Sequence, residues 1–589
     1  MSITYPEVMT MKNFKRLYSY TIGERKTLIF GIFLSAIGVV LTLLGPLILK
    51  FIIDNYMQEG NVVAKGIITL ILIYLGIQIV NSVVAYFSQI VIQTSSSRVI
   101  QKLRLKVFEH VQNLPVRYFD DLPAGKVVAR ITNDTEAILA LFTSAVPVII
   151  ISGFTIFGII VASFFVSFYA GLAMIVIVPI IMIWVYLYRK ASTKHNNIKR
   201  ERNSDINAMI NESINGMQII QAFNREETVL EDFSKINDEF YDSSMKIVKI
   251  NALTNHNLIE TLRSILLMIL VVVFASIFLD TGTALTVGSM YLIIDYSTKF
   301  MDPLYNIVGM LDIIEQARVS TNKVYELLDK EVEDNQDGEL NTFTGTIEFQ
   351  DVNFSYDGKT NVLNDISFKV NPNETLALVG HTGSGKSSII NLLMRFYDPT
   401  SGRILFDDKN TLELNKQSMR KHMSIVLQDP FIYSGSLLYN IRMNNTEITE
   451  EEAIDALIKV GGQNILDKLE NGIHSELSER GATLSLGERQ LISFARALAF
   501  NPTVLILDEA TSNIDSETEQ MIQNAMAVVS KDRTTFIIAH RLSTIQNADH
   551  IIVLEKGHII EEGNHASLMQ ENNKYASMYL KQVTKEEIK

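Results

Sequence analysis

Six long apolar stretches in the first half of the chain constrain its fold most strongly. Each is close to the roughly 20 residues that an α-helix needs to cross a bilayer. They lie near 27–53, 67–92, 142–166, 168–190, 258–280 and 286–310. A buried helical core in a soluble protein could supply one or two such runs, but not six. We therefore predict an all-α membrane domain with six transmembrane helices over residues 27–325.

The charges that flank these stretches predict their orientation. An acidic loop with Asp54 and Glu59 separates the first two stretches, whereas basic residues such as Arg98 follow the second and Arg189 and Lys190 follow the fourth. Cytoplasmic loops carry an excess of Lys and Arg. Both termini are therefore expected in the cytoplasm.

Two long connections, 93–141 and 191–257, are rich in charged residues but keep the apolar periodicity of helices, as at Ile206, Met209 and Ile210. They are predicted to be helices that continue into the cytoplasm and turn back near 118–125 and 212–220. Such turns are suited to docking on a cytoplasmic domain.

Residues 1–26 are predicted to contain an interfacial helix. Apolar Met11, Phe14 and Leu17 stand beside basic Lys12 and Lys15, which is typical of an amphipathic helix lying on the membrane surface. A solvated tail is the alternative interpretation.

The sixth stretch carries three charged residues, Asp295, Lys299 and Asp302, on one helical face. Charges within a membrane are costly and usually face a partner or a wet cavity. One interpretation is a cavity wall that contacts a cationic substrate. The other is an Asp295–Lys299 pair, four residues apart, that satisfies itself.

Composition excludes several kinds of site. The absence of cysteine excludes disulfides, thiolate metal sites and a Cys nucleophile, and the net charge of -13 argues against a nucleic-acid partner. No cleavable signal stands out before Lys26. An acidic, polar linker is expected over 326–344, followed by a soluble α/β domain over 345–589.

A glycine-rich loop defines the chemistry of this second domain. The run Gly380-His381-Thr382-Gly383-Ser384-Gly385-Lys386-Ser387 follows an apolar strand and opens a helix, which is the setting of a P-loop. Glycines let backbone N–H groups curve around a phosphate, and the helix N-terminus adds its positive dipole end. Lys386 is expected to reach the β- and γ-phosphates and Ser387 to bind Mg²⁺, with Ser388 among the nucleotide-binding residues.

Five further residues fit nucleotide chemistry. Asp508 ends an apolar strand and would hold Mg²⁺, while Glu509 would polarise the attacking water. Gln428 could touch the metal and the water, and Tyr356 has the aromatic face needed to stack on a purine. His540 could contact the γ-phosphate, although a histidine at a strand end is more often structural.

The run Leu484-Ser485-Leu486-Gly487-Glu488-Arg489-Gln490 then opens an apolar-periodic helix. Here the chain resembles the ATP-binding cassette (ABC) transporters, specifically the type I (also called type IV) exporters with six helices in each half. The resemblance covers nearly all 589 residues. The matching motifs, in the family's order, are Tyr356, 380–387, Gln428, 478–481, 508–509, 512–515 and His540. It implies an ATPase that uses ATP and Mg²⁺ in a bacterial cytoplasmic membrane.

One motif departs from the family. The signature normally reads Leu-Ser-Gly-Gly-Gln, and in the family its Ser and backbone amides contact the γ-phosphate of ATP held by the opposite subunit. Those residues would be Ser485 and Gly487 here, but Leu486 replaces a glycine and Glu488 places a carboxylate at a helix N-terminus. A helix-end charge is worth about 0.3–1 kcal/mol, so this half-site should be weakened.

The resemblance therefore implies a heterodimer, as in the catalytic-glutamate half of EfrCD- or LmrCD-like multidrug pumps. A partner with an intact signature would complete one active site on this chain's Walker side, whereas two copies of this chain would make two impaired sites. Amphiphilic, often cationic, substrates are expected. The alternatives are a lipid or peptide exporter and a regulatory or channel-like subunit, while an importer fits least because the two domains are fused.

Overall fold

The computed structural model describes residues 11–57, 64–120, 122, 124–254, 256–281, 286–333, 336–508, 516–538 and 545–587. The chain divides into two compact units. The first comprises Met1–Asn113 and Pro123–Glu331, and the second comprises Leu114–Leu122 and Val332–Lys589.

In the described residues of the first unit all regular structure is helical. Its α-helices, together with the short α4 that is counted with the second unit, are α1 (Met11–Thr21), α2 (Arg25–Ile52), α3 (Ala64–Gln112), α4 (Val116–Asp120), α5 (Ala124–Ala129), α6 (Thr135–Ala140), α7 (Val146–Val166), α8 (Phe168–Asn215), α9 (Met217–Ala222), α10 (Glu226–Thr254), α11 (His256–Thr281) and α12 (Val287–Leu328). Short 3₁₀ and π segments at Ile22–Glu24, Ile53–Met57, Arg130–Asp134 and Leu141–Ala145 join or extend them.

Four helical stretches are long and apolar enough to cross a membrane: Lys15–Met57, Lys65–Gln112, Gly125–Val166 and Phe168–Asn215. They cover the first four predicted spans. Helices α11 and α12 lie at the fifth and sixth predicted positions but do not meet the same criterion within the described residues. The six-span count therefore stays a prediction for these two helices.

The predicted cytoplasmic extensions are continuous helix. Both α3 and α8 run without a break well beyond the apolar stretches at 67–92 and 168–190, to Gln112 and Asn215. At the two predicted turns lie the short helices α4 and α9, of which α4 is counted with the second unit.

Polar contacts between distant residues tie the helices of the first unit together. The Asp54 carboxylate accepts hydrogen bonds from the Gly288 N–H and the Thr286 hydroxyl, both at 2.8 Å, and so caps the start of α12. The Tyr296 hydroxyl, on the same helix, donates to the Leu43 carbonyl at 3.0 Å. These bonds join α12 to α2 through Leu43, and to the short segment Ile53–Met57 after α2 through Asp54.

Helix α1 packs one side against protein. Leu17 is buried, and the Arg16 guanidinium lies 2.7 Å from Asp329 and stacks over the Tyr325 ring. Tyr18 remains exposed. The predicted amphipathic helix is present, but its buried face contacts α12, and membrane contact stays a prediction for its exposed side.

Asp295 and Lys299 of α12 form an ion pair within the helix, which is one of the two interpretations offered by the sequence. Lys299 Nζ lies 2.9 Å from the Asp295 carboxylate, and both side chains are partly exposed. Asp302, one turn further along, is exposed. Contact of Asp295 with a substrate stays untested.

The second unit is an α/β domain built on two main sheets. Its strands are β1 (Ile347–Phe354), β2 (Leu363–Val370), β3 (Thr375–Gly380), β4 (Ser401–Phe406), β5 (Lys409–Asn410), β6 (Met423–Val426), β7 (Gly435–Ser436), β8 (Glu476–Leu477), β9 (Val504–Asp508), β10 (Thr534–Ile538), β11 (His550–Glu555) and β12 (His558–Gly563). Its further helices are α13 (Lys386–Leu393), α14 (Lys416–Arg420), α15 (Leu437–Arg442), α16 (Glu450–Lys459), α17 (Gln463–Lys468), α18 (Leu486–Ala499), α19 (Ser516–Ser530), α20 (His565–Glu571) and α21 (Lys574–Glu587).

The central sheet has the order β12-β11-β3-β10-β9-β6, and all neighbours except the β11–β12 pair are parallel. Alternate residues of its strands enter two different cores, because a strand presents successive side chains to opposite faces. Leu376 and Leu378 pack toward the antiparallel sheet β2-β1-β4-β5, and Ala377 and Val379 pack in the core that includes α18. A sheet covered on both faces is the usual home of parallel strands.

The segment before β1, which contains Glu333, is held by ion pairs to two basic residues of the second unit. Glu333 accepts two hydrogen bonds from Arg420, at 2.9 and 3.0 Å, and Lys416 lies 3.3 Å away. Burial alone would raise the pKa of Glu333, but these cations outweigh burial and lower it. Helix α12 ends at Leu328, and Leu340 is already buried in the second unit.

Candidate nucleotide-binding site

The predicted site residues meet at one edge of the central sheet. The P-loop follows β3, Asp508 ends β9, and Gln428 lies two residues after β6. Because β3, β10, β9 and β6 are parallel neighbours, their carboxyl ends share this edge. Ligands bind at such edges in open α/β sheets.

The loop between β3 and α13 needs glycine for two reasons. Gly385 has φ 109°, and a Cβ there would lie 2.5 Å from Leu363 Cδ2. Gly383 has φ 81°, with open space where a side chain would be. Positive φ is readily available only to glycine, so the backbone itself forms the wall of the loop.

Lys386 is enclosed by this loop. Its side-chain Nζ donates to the carbonyl oxygens of Gly380 at 2.7 Å and His381 at 3.1 Å. Burial lowers the pKa of this ammonium, and the neighbouring Asp508 carboxylate opposes that effect. The Ser384 hydroxyl is also buried and, among the described residues, has no hydrogen-bond partner. A desolvated cation and an unpaired donor in a glycine loop fit a phosphate group.

The two serines that follow Lys386 differ in their surroundings. Ser387 is exposed, whereas Ser388 is buried and its hydroxyl lies 3.1 Å from the Tyr356 hydroxyl. Asn391, one turn further along α13, donates to the same Tyr356 oxygen at 3.0 Å. Ser387 is thus open to the edge of the sheet, while Ser388 positions Tyr356.

Tyr356 lies beside the P-loop helix, as its predicted contact with a purine requires. This residue is 37% exposed, and its other neighbours are the rings of Phe354 and Tyr397, both edge-on at 4.6 and 5.0 Å between centroids. Two edge-on rings fix its plane and leave part of it available for stacking.

The structure brings some of the predicted residues together and leaves others undescribed. His381, Thr382 and Gln428 are exposed at the site edge. Glu509, His540 and the 512–515 motif lie outside the described residues. Their predicted functions therefore rest on sequence, which places Glu509 directly after Asp508.

The altered signature is a well-formed helix start. Ser485 Oγ accepts from the Glu488 N–H at 3.2 Å, and the Glu488 carboxylate accepts from the Ser485 N–H at 2.7 Å. This reciprocal pair is a capping box. Gly487, in the same turn, is buried, and a Cβ there would lie 2.2 Å from Thr518 Cγ2.

Lys468 adds a contact that the sequence analysis did not predict. Its Nζ lies 3.0 Å from Glu488 Oε1. Burial alone would raise the pKa of Glu488, but the Ser485 N–H and Lys468 lower it. The expected charge at the helix N-terminus is therefore present, but a lysine from α17 partly neutralises it.

A second unpredicted contact involves the turn between the second and third stretches. The Tyr397 hydroxyl donates to the Asp120 carboxylate of α4. The pKa of Tyr397 is raised above its usual value, mainly because the side chain is buried and secondly because it lies beside the Asp120 carboxylate. The tyrosine therefore stays a donor. In the sequence, only the apolar content of the 118–125 turn indicated that this turn could dock on a cytoplasmic domain.

Comparison with known proteins agrees with this architecture. A bundle of long apolar helices joined to a P-loop α/β domain defines an ATP-binding membrane transporter. Residues 28–304 match the family described as the ABC transporter transmembrane region, and residues 363–512 match the family described as ABC transporter. The chain belongs to the ABC transporters, and its fold is that of a transmembrane domain fused to an ATP-hydrolysing domain.

Several relatives align over most of the chain. It is 46% identical to the probable multidrug resistance ABC transporter ATP-binding/permease protein YheH of Bacillus subtilis, over 87% of this chain and 77% of the relative. It is 34% identical to the multidrug resistance-like ATP-binding protein MdlB of Buchnera aphidicola, over 96% and 97%. It is 32% identical to the ATP-dependent lipid A-core flippase 1 of Colwellia psychrerythraea, over 97% and 96%.

Proposed function

We propose that the chain is one half of a heterodimeric exporter that removes amphiphilic, often cationic, compounds across a bacterial cytoplasmic membrane. Both termini would lie in the cytoplasm. The hydrolytic site would combine this chain's Walker motifs with the intact signature of a different ABC half-transporter. The observation that carries the proposal is the signature helix, where Glu488 is held by Ser485 and Lys468.

The glutamate that departs from the family's signature, Glu488, is held in place by its neighbours. Both Glu488 oxygens have partners, one in the capping box and one at Lys468. Glutamine could also serve in a capping box, so helix formation alone does not require the acid. A carboxylate where an anionic phosphate should approach disfavours ATP, which supports a partner that supplies the other signature.

The residues at the sheet edge then have distinct functions. Lys386 and the loop amides would hold the β- and γ-phosphates, and Tyr356 would stack on the adenine. Ser387, Asp508 and Gln428 would hold Mg²⁺, which would neutralise charge on the phosphates. Glu509 would orient and deprotonate the attacking water, and His540 would contact the γ-phosphate.

Helix α9 supports association with a second half. Ile219 and Phe223 at this turn are 66% and 73% exposed. Nearby Ile214 and Met217 are also exposed. Exposed apolar clusters mark interaction sites, and we propose that the partner's nucleotide-binding domain covers this one.

Repairing the signature tests the heterodimer proposal. The double replacement Leu486→Gly and Glu488→Gln should raise the ATPase activity of this chain purified alone by at least about 2- to 5-fold, since a helix-end charge is worth about 0.3–1 kcal/mol. The glutamine introduced by Glu488→Gln can keep the capping box. Lys468→Ala is the matched control, because it removes the ion pair without repairing the signature and should not raise activity. An unchanged rate in the repaired variant would contradict the proposal.

The Tyr397–Asp120 contact lies within the second unit, beside Tyr356. Tyr397 touches the ring of Tyr356 and donates to Asp120 in the turn between α3 and α5. A nucleotide stacked on Tyr356 would press on this pair. We propose that it passes ATP-driven motion to the membrane domain through 118–125, with 212–220 acting on the partner.

Removing the Tyr397 hydroxyl should uncouple the pump. Tyr397→Phe keeps the ring but loses the bond to Asp120, so transport per ATP hydrolysed should fall about 2- to 10-fold while basal ATPase persists. The measurement is dye transport and ATPase in the same vesicles. Asp120→Ala and the double variant complete a cycle, and additive losses would show that the two residues do not act together.

The relatives' names favour two cargo classes. YheH and MdlB are named for multidrug resistance, and the Colwellia relative is named a lipid A-core flippase. Lipid export is therefore the second candidate. Uptake of a cationic dye and of a labelled lipid into inverted vesicles would decide between them, and ATPase activity with no uphill transport of either would indicate a regulatory subunit.

A further inference from the structure

A cavity of about 390 Å³ lies among α2, α3 and α7 of the first unit. It is bordered by residues 34–42 of α2 and 81–93 of α3, and by residues that include Pro147 and Thr155 from the region of α7. In the orientation proposed above, these parts of α2 and α3 lie in the cytoplasmic half of the membrane. The cavity is thus placed where a compound from the cytoplasmic leaflet would arrive.

One end of the cavity is closed by tight packing between α2 and α3. A Cβ on Gly31 would lie 2.6 Å from Ile92 Cγ1. The Ser35 and Ser88 hydroxyls lie 2.6 Å apart, and Ser88 also donates to the Gly31 carbonyl at 2.8 Å. These contacts hold the two helices closely together beside the cavity.

The polar lining is neutral. Asn81 Nδ2 donates to Thr42 Oγ1 at 3.2 Å, which leaves the Asn81 carbonyl directed away from that bond. Gln89 and Gln93, two and three turns further along α3, are exposed, and their side chains have no hydrogen-bond partner in the described part of the chain. None of the described residues that line the cavity is charged.

Gln89 lies within the predicted span 67–92 and Gln93 directly follows it, so free amides at this end of the helix favour a polar partner. An unsatisfied amide in an apolar medium costs several kcal/mol, and polar side chains within a membrane usually face a bundle interior or a wet cavity. Here they border a cavity whose other walls include the apolar Leu34, Val39 and Ile151. Amides beside an apolar wall match a molecule that is itself amphiphilic.

We propose that this cavity is a cargo subsite that recognises neutral hydrogen-bonding groups, such as amides and hydroxyls, through Asn81, Gln89 and Gln93. It selects by hydrogen bonding and shape, separately from the charged pair on α12. The inference rests on the proposed export of amphiphilic compounds and specifies which chemical groups of the cargo this chain binds.

The test uses the pump of this chain co-expressed with its partner and reconstituted in vesicles. The probes are two neutral fluorescent amphiphiles of equal size, one with a secondary amide and one with that amide N-methylated. In the variant Gln89→Met with Gln93→Met, the KM for transport and the equilibrium Kd of the secondary-amide probe should rise about 2- to 10-fold per lost hydrogen bond. The N-methylated probe should change less. Gln78→Met, on α3 but outside the cavity lining, is the matched control and should leave both probes unchanged.

Three results would overturn the subsite. The first is an unchanged Kd for the secondary-amide probe, and the second is an equal change for both probes. The third is loss of co-purification with the partner, which would place the glutamines in a contact between chains. If the wild-type pump hydrolyses ATP but neither binds nor moves either probe, the proposed cargo class fails as well, which separates that failure from a failure of the cavity alone.

Discussion

Replacement of Glu509 with Gln is expected to lower ATP turnover by about 10²–10⁴-fold, the usual contribution of a positioned general base. Glutamine keeps the size of the side chain but cannot accept the proton of the attacking water. In the sequence this residue directly follows Asp508, and Asp508 ends β9 on the sheet edge that carries the P-loop. Phosphate release from the pump of this chain and its partner measures the effect.

ATP binding should survive in the same variant, because the phosphate-holding residues are unchanged. Labelled ATP should bind with a Kd close to that of the wild type. Glu470→Gln, at an exposed position of the second unit, is the control for the loss of one carboxylate. Normal turnover in Glu509→Gln would show that another group activates the water.

Replacement of Lys386 with Ala is expected to have a different effect and to weaken ATP binding itself. Lys386 is 6% exposed as a residue, and its ammonium donates to two carbonyls of its own loop, so the side chain is already directed into the glycine turn. A hydrogen bond to a charged group contributes about 1.5–3 kcal/mol. The Kd for ATP should therefore rise by about 10- to 150-fold.

Equilibrium binding of labelled ATP measures this change. Lys386→Arg should also bind poorly, because a planar guanidinium does not replace a compact ammonium inside a closed loop. Lys369→Ala, which removes a half-exposed lysine paired with Glu348, is the matched control and should bind normally. A Lys386→Ala variant with wild-type affinity would mean that the loop amides hold the phosphates alone.

Local patterns carried most of what the sequence predicted. The P-loop was predictable because its strand, glycines and helix are consecutive, and the long helices α3 and α8 because apolar periodicity continues past the membrane stretches. The i, i+4 spacing likewise made the Asp295–Lys299 pair one of two interpretations, and the structure contains that ion pair.

Contacts between distant residues were not predictable in this way. Tyr397 and Asp120 are 277 positions apart, and Thr286 and Asp54 are 232 apart. Lys468 is 20 positions from Glu488, and no helical spacing relates them. One sequence shows that a carboxylate is present in the signature, but only tertiary packing shows which cation faces it.

The cavity among α2, α3 and α7 could not be predicted from the sequence either, because it depends on how these helices pack. Gln89 and Gln93 are visible in the sequence as polar residues at the end of an apolar stretch. Whether they face lipid, a partner helix or an enclosed space is set by how α2, α3 and α7 cross. The Gly31 and Ser88 contacts show how closely α2 packs on α3.

The most direct test of the proposed heterodimer is the ATPase activity of this chain purified alone and co-expressed with an ABC half-transporter that has an intact signature. The proposal predicts low activity alone and a large gain on pairing, because one complete site needs this chain's Walker motifs and the partner's signature. Full activity of the chain alone would show that Leu486 and Glu488 are tolerated between two identical chains, and it would contradict the heterodimer.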